Sequence, residues 1–117
     1  MRENKKFLIL SFSFKSEMEC LMLEKEFQGS LIKEIKARFP GAVVLKTDPN
    51  YIQGLPDLLI LWQKHWAALE CKRKDHVHVQ PNQEYYIDIL DRMSFASFIT
   101  PEMKEEVLNA MERTFQS

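Results

Sequence analysis

The sequence predicts an α/β domain: a small mixed β-sheet flanked by helices, in the order α-β-β-β-α-β-α. Three patterns lead there. Apolar residues recur at every fourth position from Leu23 to Phe39, the spacing of an amphipathic helix. Two short apolar runs, Leu58–Trp62 and Trp66–Lys72, flank the polar Gln63-Lys64-His65, the layout of a β-hairpin. Beyond them a helical pattern, a short strand pattern and a second helical pattern follow, as when helices close over a sheet.

The elements can be justified in order. The first helix carries Leu23, Phe27, Leu31, Ile35 and Phe39 on one stripe with Ile32 beside them, and Pro40-Gly41 ends it. Ala42–Thr47 is a β-branched strand. Asp48-Pro49-Asn50 turns the chain, and a loop continues through Gly54 to Pro56. After the hairpin, Arg73–Val79 is a charged loop bearing two histidines. Pro81 suits the first position of a helix that shows Tyr85, Tyr86, Ile89, Leu90 and Met93 at helical spacing. Phe95–Ile99 reads as a strand. Thr100 is placed to cap the last helix, with Pro101 at its first position and Val107, Leu108, Met111 and Phe115 facing inward. Trp62, Trp66, Tyr85 and Tyr86 are assigned to the core.

A length of 117 residues suits one domain, taken as 1–117, and 45% hydrophobic with 28% charged residues is ordinary for a globular chain. Residues 1–22 form an apolar N-terminal leader. Its Phe7–Phe14 run is shorter than the ~20 residues of a membrane span and lacks the cleavage site of a secretory signal. It is read as an extra edge strand or a dimer element. The two cysteines, Cys20 and Cys71, form no pairing pattern, so a reducing, cytoplasmic location is expected, with Cys71 facing the core. Sixteen basic and 17 acidic side chains give a net charge of −1, which argues against coating nucleic acid by bulk electrostatics. It leaves room for an enzyme that touches a few phosphates locally.

The chemistry concentrates in the hairpin. Asp57 opens one apolar run; Glu70 and Lys72 close the other. Alternate strand residues share a face, so Glu70 and Lys72 point one way and Cys71 the other. Side by side, the two strands bring Asp57 and Glu70 together with an ammonium next to them, a way to hold a hard divalent cation against a phosphate. On the first helix, Glu24 lies three residues before Phe27 and seven before Leu31, on the apolar face, whereas Glu26 lies opposite. A carboxylate there is costly to bury unless paired or metal-bound; a water-exposed first turn is its ordinary account. Lys46, Lys64, Arg73, Lys74, His76 and His78 surround these residues in sequence and are candidate nucleic-acid contacts, with Gln80. His76-x-His78 lacks the further ligands of a zinc site. Tyr51 and Gln53, in the loop before Asp57, are placed to meet a base or sugar, Tyr51 equally to pack inward.

The helix acid, Gly54-Leu55-Pro56-Asp57, Leu69-Glu70-Cys71-Lys72 and a downstream glutamine together resemble the PD-(D/E)xK nuclease superfamily. The likeness is to its small VRR-NUC-type and phage-encoded members, over roughly Leu23 to Ile99. The resemblance implies a restriction-endonuclease-like core and Mg²⁺- or Mn²⁺-dependent hydrolysis of phosphodiester bonds in DNA. It implies catalytic roles for Asp57, Glu70 and Lys72, a helix acid at Glu24 with Glu26 as fallback, and a glutamine at Gln83 with Gln80 possible. The metal ligands it implies are Asp57, Glu70, the main-chain carbonyl of Cys71, and Glu24. A branched-junction or flap DNA substrate and a homodimer follow in the same way, with no membrane and no small-molecule cofactor involved. If the chain is phage-encoded, its location is the cytoplasm of a bacterial host. The leader is a departure from the pattern of these small proteins. Alternatives are a catalytically silent nuclease-fold module that binds or inhibits a host protein, and a nuclease directed at RNA.

Overall fold

The computed structural model describes residues 23–73 and 80–117. The leader, Lys74, His76 and His78 lie outside the described residues. Helix α1 covers 23–38 and is followed by strands β1 (Val43–Lys46), β2 (Leu58–Trp62) and β3 (His65–Cys71). Helix α2 (Pro81–Met93), strand β4 (Ala96–Ile99) and helix α3 (Lys104–Gln116) complete the order. The four strands form one mixed sheet in the order β1-β2-β3-β4, antiparallel except for β3 against β4. The expected α/β architecture with a small mixed sheet is therefore present.

The strand registers sort the sheet into two faces. Val44, Ile60 and Ala67 lie across one face with Leu58, Leu69, Cys71 and Ile99. That face is closed by Leu31, Ile35 and Phe39 of α1 and by Val107, Leu108, Met111 and Phe115 of α3. The stripe read from the sequence is thus the core contact of both helices. An aromatic corner seals its end: Phe39 meets Trp62 and Phe115 edge-on at 5.3 and 5.4 Å, and His65 stacks on Phe115 at 5.5 Å. The indole Nε1 of Trp62 donates to the Pro40 carbonyl at 3.0 Å, which locks the α1–β1 turn onto the hairpin. Charges tie α1 to α3 on the outside: Arg38 reaches Glu112 at 2.7 Å and also Asn109, and Lys104 reaches Glu34 at 2.8 Å.

On the opposite face α2 packs against β3 and β4. It covers only that half. Val43, Leu45 and Leu61, which share the face on β1 and β2, are exposed.

Some sequence expectations are corrected. The last helix starts at Lys104, not Pro101, because Pro101–Met103 forms a separate turn. Thr100 Oγ1 accepts the Met103 N–H at 3.2 Å and so caps that turn rather than the helix. His65 belongs to β3; the hairpin turn is tight, with Gln63 at a positive φ of 56°. Tyr85 is not a core residue: it is exposed on the outer side of α2, edge-on to Tyr86. Helical spacing is shared by an apolar stripe and by the residues that flank it, so it does not separate the two.

Candidate active site

The site forms at the end of the sheet where β2 begins and β3 finishes. The pairing of Leu58 with Leu69 sets Asp57 opposite Glu70, and their groups interlock. The Asp57 N–H donates to Glu70 Oε2 at 2.9 Å, and the Cys71 N–H donates to Asp57 Oδ2 at 2.9 Å. Each carboxylate thus takes a main-chain N–H from the opposite strand, which fixes both in place. Gln83, in the first turn of α2, donates from Nε2 to Glu70 Oε1 at 2.8 Å. Its Oε1 accepts the Gln80 N–H at 3.2 Å, so the capping of α2 decides which end of the amide faces the acid. Lys72 Nζ stands 3.8 Å from Glu70 Oε1, with a side chain only 11% exposed.

Burial sets the electrostatics. Glu70, 4% exposed, is pushed up to about 8, first by desolvation and then by the negative charge of Asp57, with Lys72 pulling the other way. Asp57 is also raised by desolvation, opposed by the Cys71 N–H, by Lys72 and by a hydrogen bond from Glu70. Burial and mutual repulsion therefore favour one proton on the pair at neutral pH. Glu24 is raised by its own partial burial; Lys72 offsets this, the Asp57 charge adds to it, and the Arg73 N–H bonds the carboxylate. Among the described residues, three acids face the Lys72 ammonium in a partly dry site. The Cys71 thiol is buried on the core side, and burial with the neighbouring carboxylates raises it strongly, so it stays neutral.

A cleft of roughly 640 Å³ opens onto the acid pair. Pro49, Asn50, Tyr51, Gln53, Gly54 and Leu55 form one wall, Gln80 and Gln83 the other, and Asp57 and Glu70 the end. The loop wall is built locally. Thr47 pins it at both ends of its chemistry, its N–H on the Asp57 carbonyl at 2.9 Å and its Oγ1 on the Pro56 carbonyl at 2.7 Å. Gly54 has a φ of +96°, and a Cβ there would stand 2.4 Å from the Asn82 Cβ. Only glycine lets the loop approach the start of α2 so closely.

Of the residues picked out in the sequence, Asp57, Glu70, Lys72 and Gln83 come together, with Glu24 within electrostatic reach. The Cys71 main chain is at the site through its N–H. Glu26, the fallback helix acid, is exposed and takes no part in these interactions. Gln80 starts α2 and lines the cleft with Tyr51 and Gln53. Lys46 ends β1 opposite Leu58, at the site end of the sheet, and Arg73 follows Lys72. Lys64 sits in the hairpin turn, at the far end of β2 and β3 from Asp57 and Glu70. The five residues of β2 separate it from Asp57, roughly 16 Å at the rise of a strand, so it stands away from the cleft.

Sequence reasoning missed three contributors. Gln28, one turn beyond Glu24 on α1, hydrogen-bonds the Cys71 thiol from the helix side. Asn50 lines the cleft, and Asn82 is the residue against which Gly54 fits. The i to i+4 spacing of Glu24 and Gln28 was available as a signal; the Gly54–Asn82 approach was not, since it joins two segments far apart in the chain. Among the described residues no group of three His, Cys, Asp or Glu side chains is spaced to hold a metal by itself, and no helix is long and apolar enough to cross a membrane. No family model, curated protein or solved structure matches the chain.

Proposed function

We propose that this chain is a metal-dependent endonuclease that hydrolyses phosphodiester bonds in DNA. One observation carries the reading: Asp57 and Glu70, from adjacent strands, interlock at the end of an open cleft with Lys72 beside them. A purely structural strand end gains nothing from burying two acids together, and burial of such a pair is unfavourable unless a cation or a proton compensates.

The donor set fits a hard divalent ion. It consists of carboxylate oxygens, the Cys71 main-chain carbonyl completes it, and the one nearby thiol is neutral and turned to the core. The raised proton affinity of Glu70 is a second sign of fit, because the proton occupies the place of the missing positive charge. When bound, Mg²⁺ or Mn²⁺ supplies positive charge against the phosphate and acidifies water. The protein's own groups do the rest. Glu70 must release its proton, and the Cys71 N–H opposes the rise that burial imposes on Asp57. Gln83 holds Glu70 in position. Lys72 presents an ammonium beside Glu70, where it orients the attacking water and balances the charge that develops on the phosphoryl oxygens. Glu24 adds a carboxylate on the helix side.

The test is supercoiled plasmid incubated with Mn²⁺ and wild type, Asp57→Asn or Lys72→Met. The wild type is expected to convert the plasmid, and each variant to lose about 100-fold or more in rate. Equal conversion by all three proteins rejects the proposal. One chain carries one such site, so cutting both strands calls for two chains, and a linear product in the same gel is the sign of that assembly.

A further inference from the structure

The cleft wall beside the acid pair has an unusual composition for a surface that meets nucleic acid. Among the described residues that line it, only Asp57 and Glu70 are charged. The described wall presents the amides of Asn50, Gln53 and Gln80 around the ring of Tyr51. Tyr51 is 81% exposed, so it is not packing inward. It is nonetheless held. The Asp48 carbonyl accepts the Tyr51 N–H at 3.1 Å, and Asp48 Oδ1 accepts the Asn50 N–H at 2.9 Å, an Asx turn that fixes the backbone carrying the ring. Below it, the contact of Gly54 with Asn82 sets the loop against α2. A solvated aromatic on a backbone fixed by a turn, beside uncharged hydrogen-bonding groups, is the chemistry of base stacking and base-edge contact. The volume of roughly 640 Å³ falls within the ~300–1,000 Å³ of small-ligand pockets, ample for a base and its sugar.

We infer that the loop and the start of α2 form a nucleobase subsite, in which an unpaired base next to the scissile phosphate stacks on Tyr51. The inference rests on the nuclease reading and adds to it where the substrate must be open: a base paired within a continuous duplex cannot enter the cleft, whereas one in a single strand can.

The full-length protein in EDTA, where no cleavage occurs, is titrated with a single-stranded DNA 12-mer containing 2-aminopurine, and with the same sequence as a duplex. The single strand is expected to bind at least about 10-fold tighter, with 2-aminopurine fluorescence quenched on saturation. Tyr51→Ala is expected to weaken single-strand binding by about 5- to 100-fold and abolish the quench, and Tyr51→Trp to retain both. Single-strand affinity unchanged in Tyr51→Ala, or saturation without a fluorescence change, overturns the subsite. If the wild type cuts plasmid with Mn²⁺ and yet shows either of those results, the subsite alone is lost. A quench that depends on Tyr51 in a protein that cuts nothing loses the nuclease reading instead. No binding of either DNA overturns both.

Discussion

Glu70 holds a proton that the folded state binds far more tightly than the unfolded chain does, and this makes stability depend on pH in a direction opposite to that of an ordinary ion-paired acid. Its folded value lies near 8 against an unfolded value of 4.5. Stability gained from the bound proton is therefore complete below the unfolded value and is lost as pH rises through 8. Worked between pH 6 and pH 9, the linkage amounts to about 2 to 3 kcal/mol, which for a domain of this size lowers the melting temperature by roughly 10 °C. Glu70→Gln keeps the shape but has no proton to lose, so its stability is expected to stay nearly level over the same window. Urea unfolding of both proteins in EDTA at pH 6, 7, 8 and 9 measures this. A cation at the pair replaces the proton, so Mn²⁺ should restore the wild type most at high pH, with affinity about 50-fold greater at pH 8 than at pH 6. A flat wild-type profile, or a Glu70→Gln profile that slopes as steeply, refutes the shared-proton description of the site.

Other substitutions probe the scaffold. Gly54→Ala forces a side chain at a φ of +96° into Asn82, and a loss of roughly 2–4 kcal/mol is expected in urea unfolding, with the cleft displaced as well. Leu108→Ala opens a void where the side chain is wholly buried, and calorimetry should show a loss of about 2–5 kcal/mol. Arg38→Ala removes the bridge from α1 to Glu112 and Asn109; about 1 kcal/mol is expected in 0.1 M salt and less in 1 M salt.

The fold was legible wherever burial imposed a period. Leu31, Ile35 and Phe39 repeat at the spacing of a helix and end up in the core; Leu58, Ile60, Leu69 and Cys71 alternate as strands demand and meet them. The acid pair was legible for the same reason, since Asp57 and Glu70 sit at fixed rungs of a hairpin whose turn length sets the register. What failed depended on contacts no local pattern encodes. Thr100 followed by Pro101 is a sound helix start, yet the chain spends one turn before α3 begins, and the threonine serves that turn instead. Lys64 is close to the acids in sequence, but a hairpin returns its strands to the start and leaves its turn residues at the far end. Tyr51 had two equal readings because nothing in a loop sequence reports exposure; in the fold its side chain is exposed, which excludes inward packing.

The site sits where the core ends, and that location explains its chemistry. Leu69 is wholly buried and Cys71 nearly so, so the residue between them inherits a dry environment from its neighbours without being part of their packing. A strand end supplies that environment and also leaves main-chain N–H groups unused by the ladder, and those of Asp57 and Cys71 are the ones that grip the two carboxylates. Geometry is therefore set by the backbone, while among the described residues Lys72 is the cation that faces the pair. Moving the pair outward by one rung would hydrate the acids and lower their proton affinity. Moving it inward by one would bury them beside α3 and destabilise the core. Position at the edge of the sheet keeps the acids both ordered and partly dry, and the same edge is where the loop wall with Tyr51 meets the start of α2.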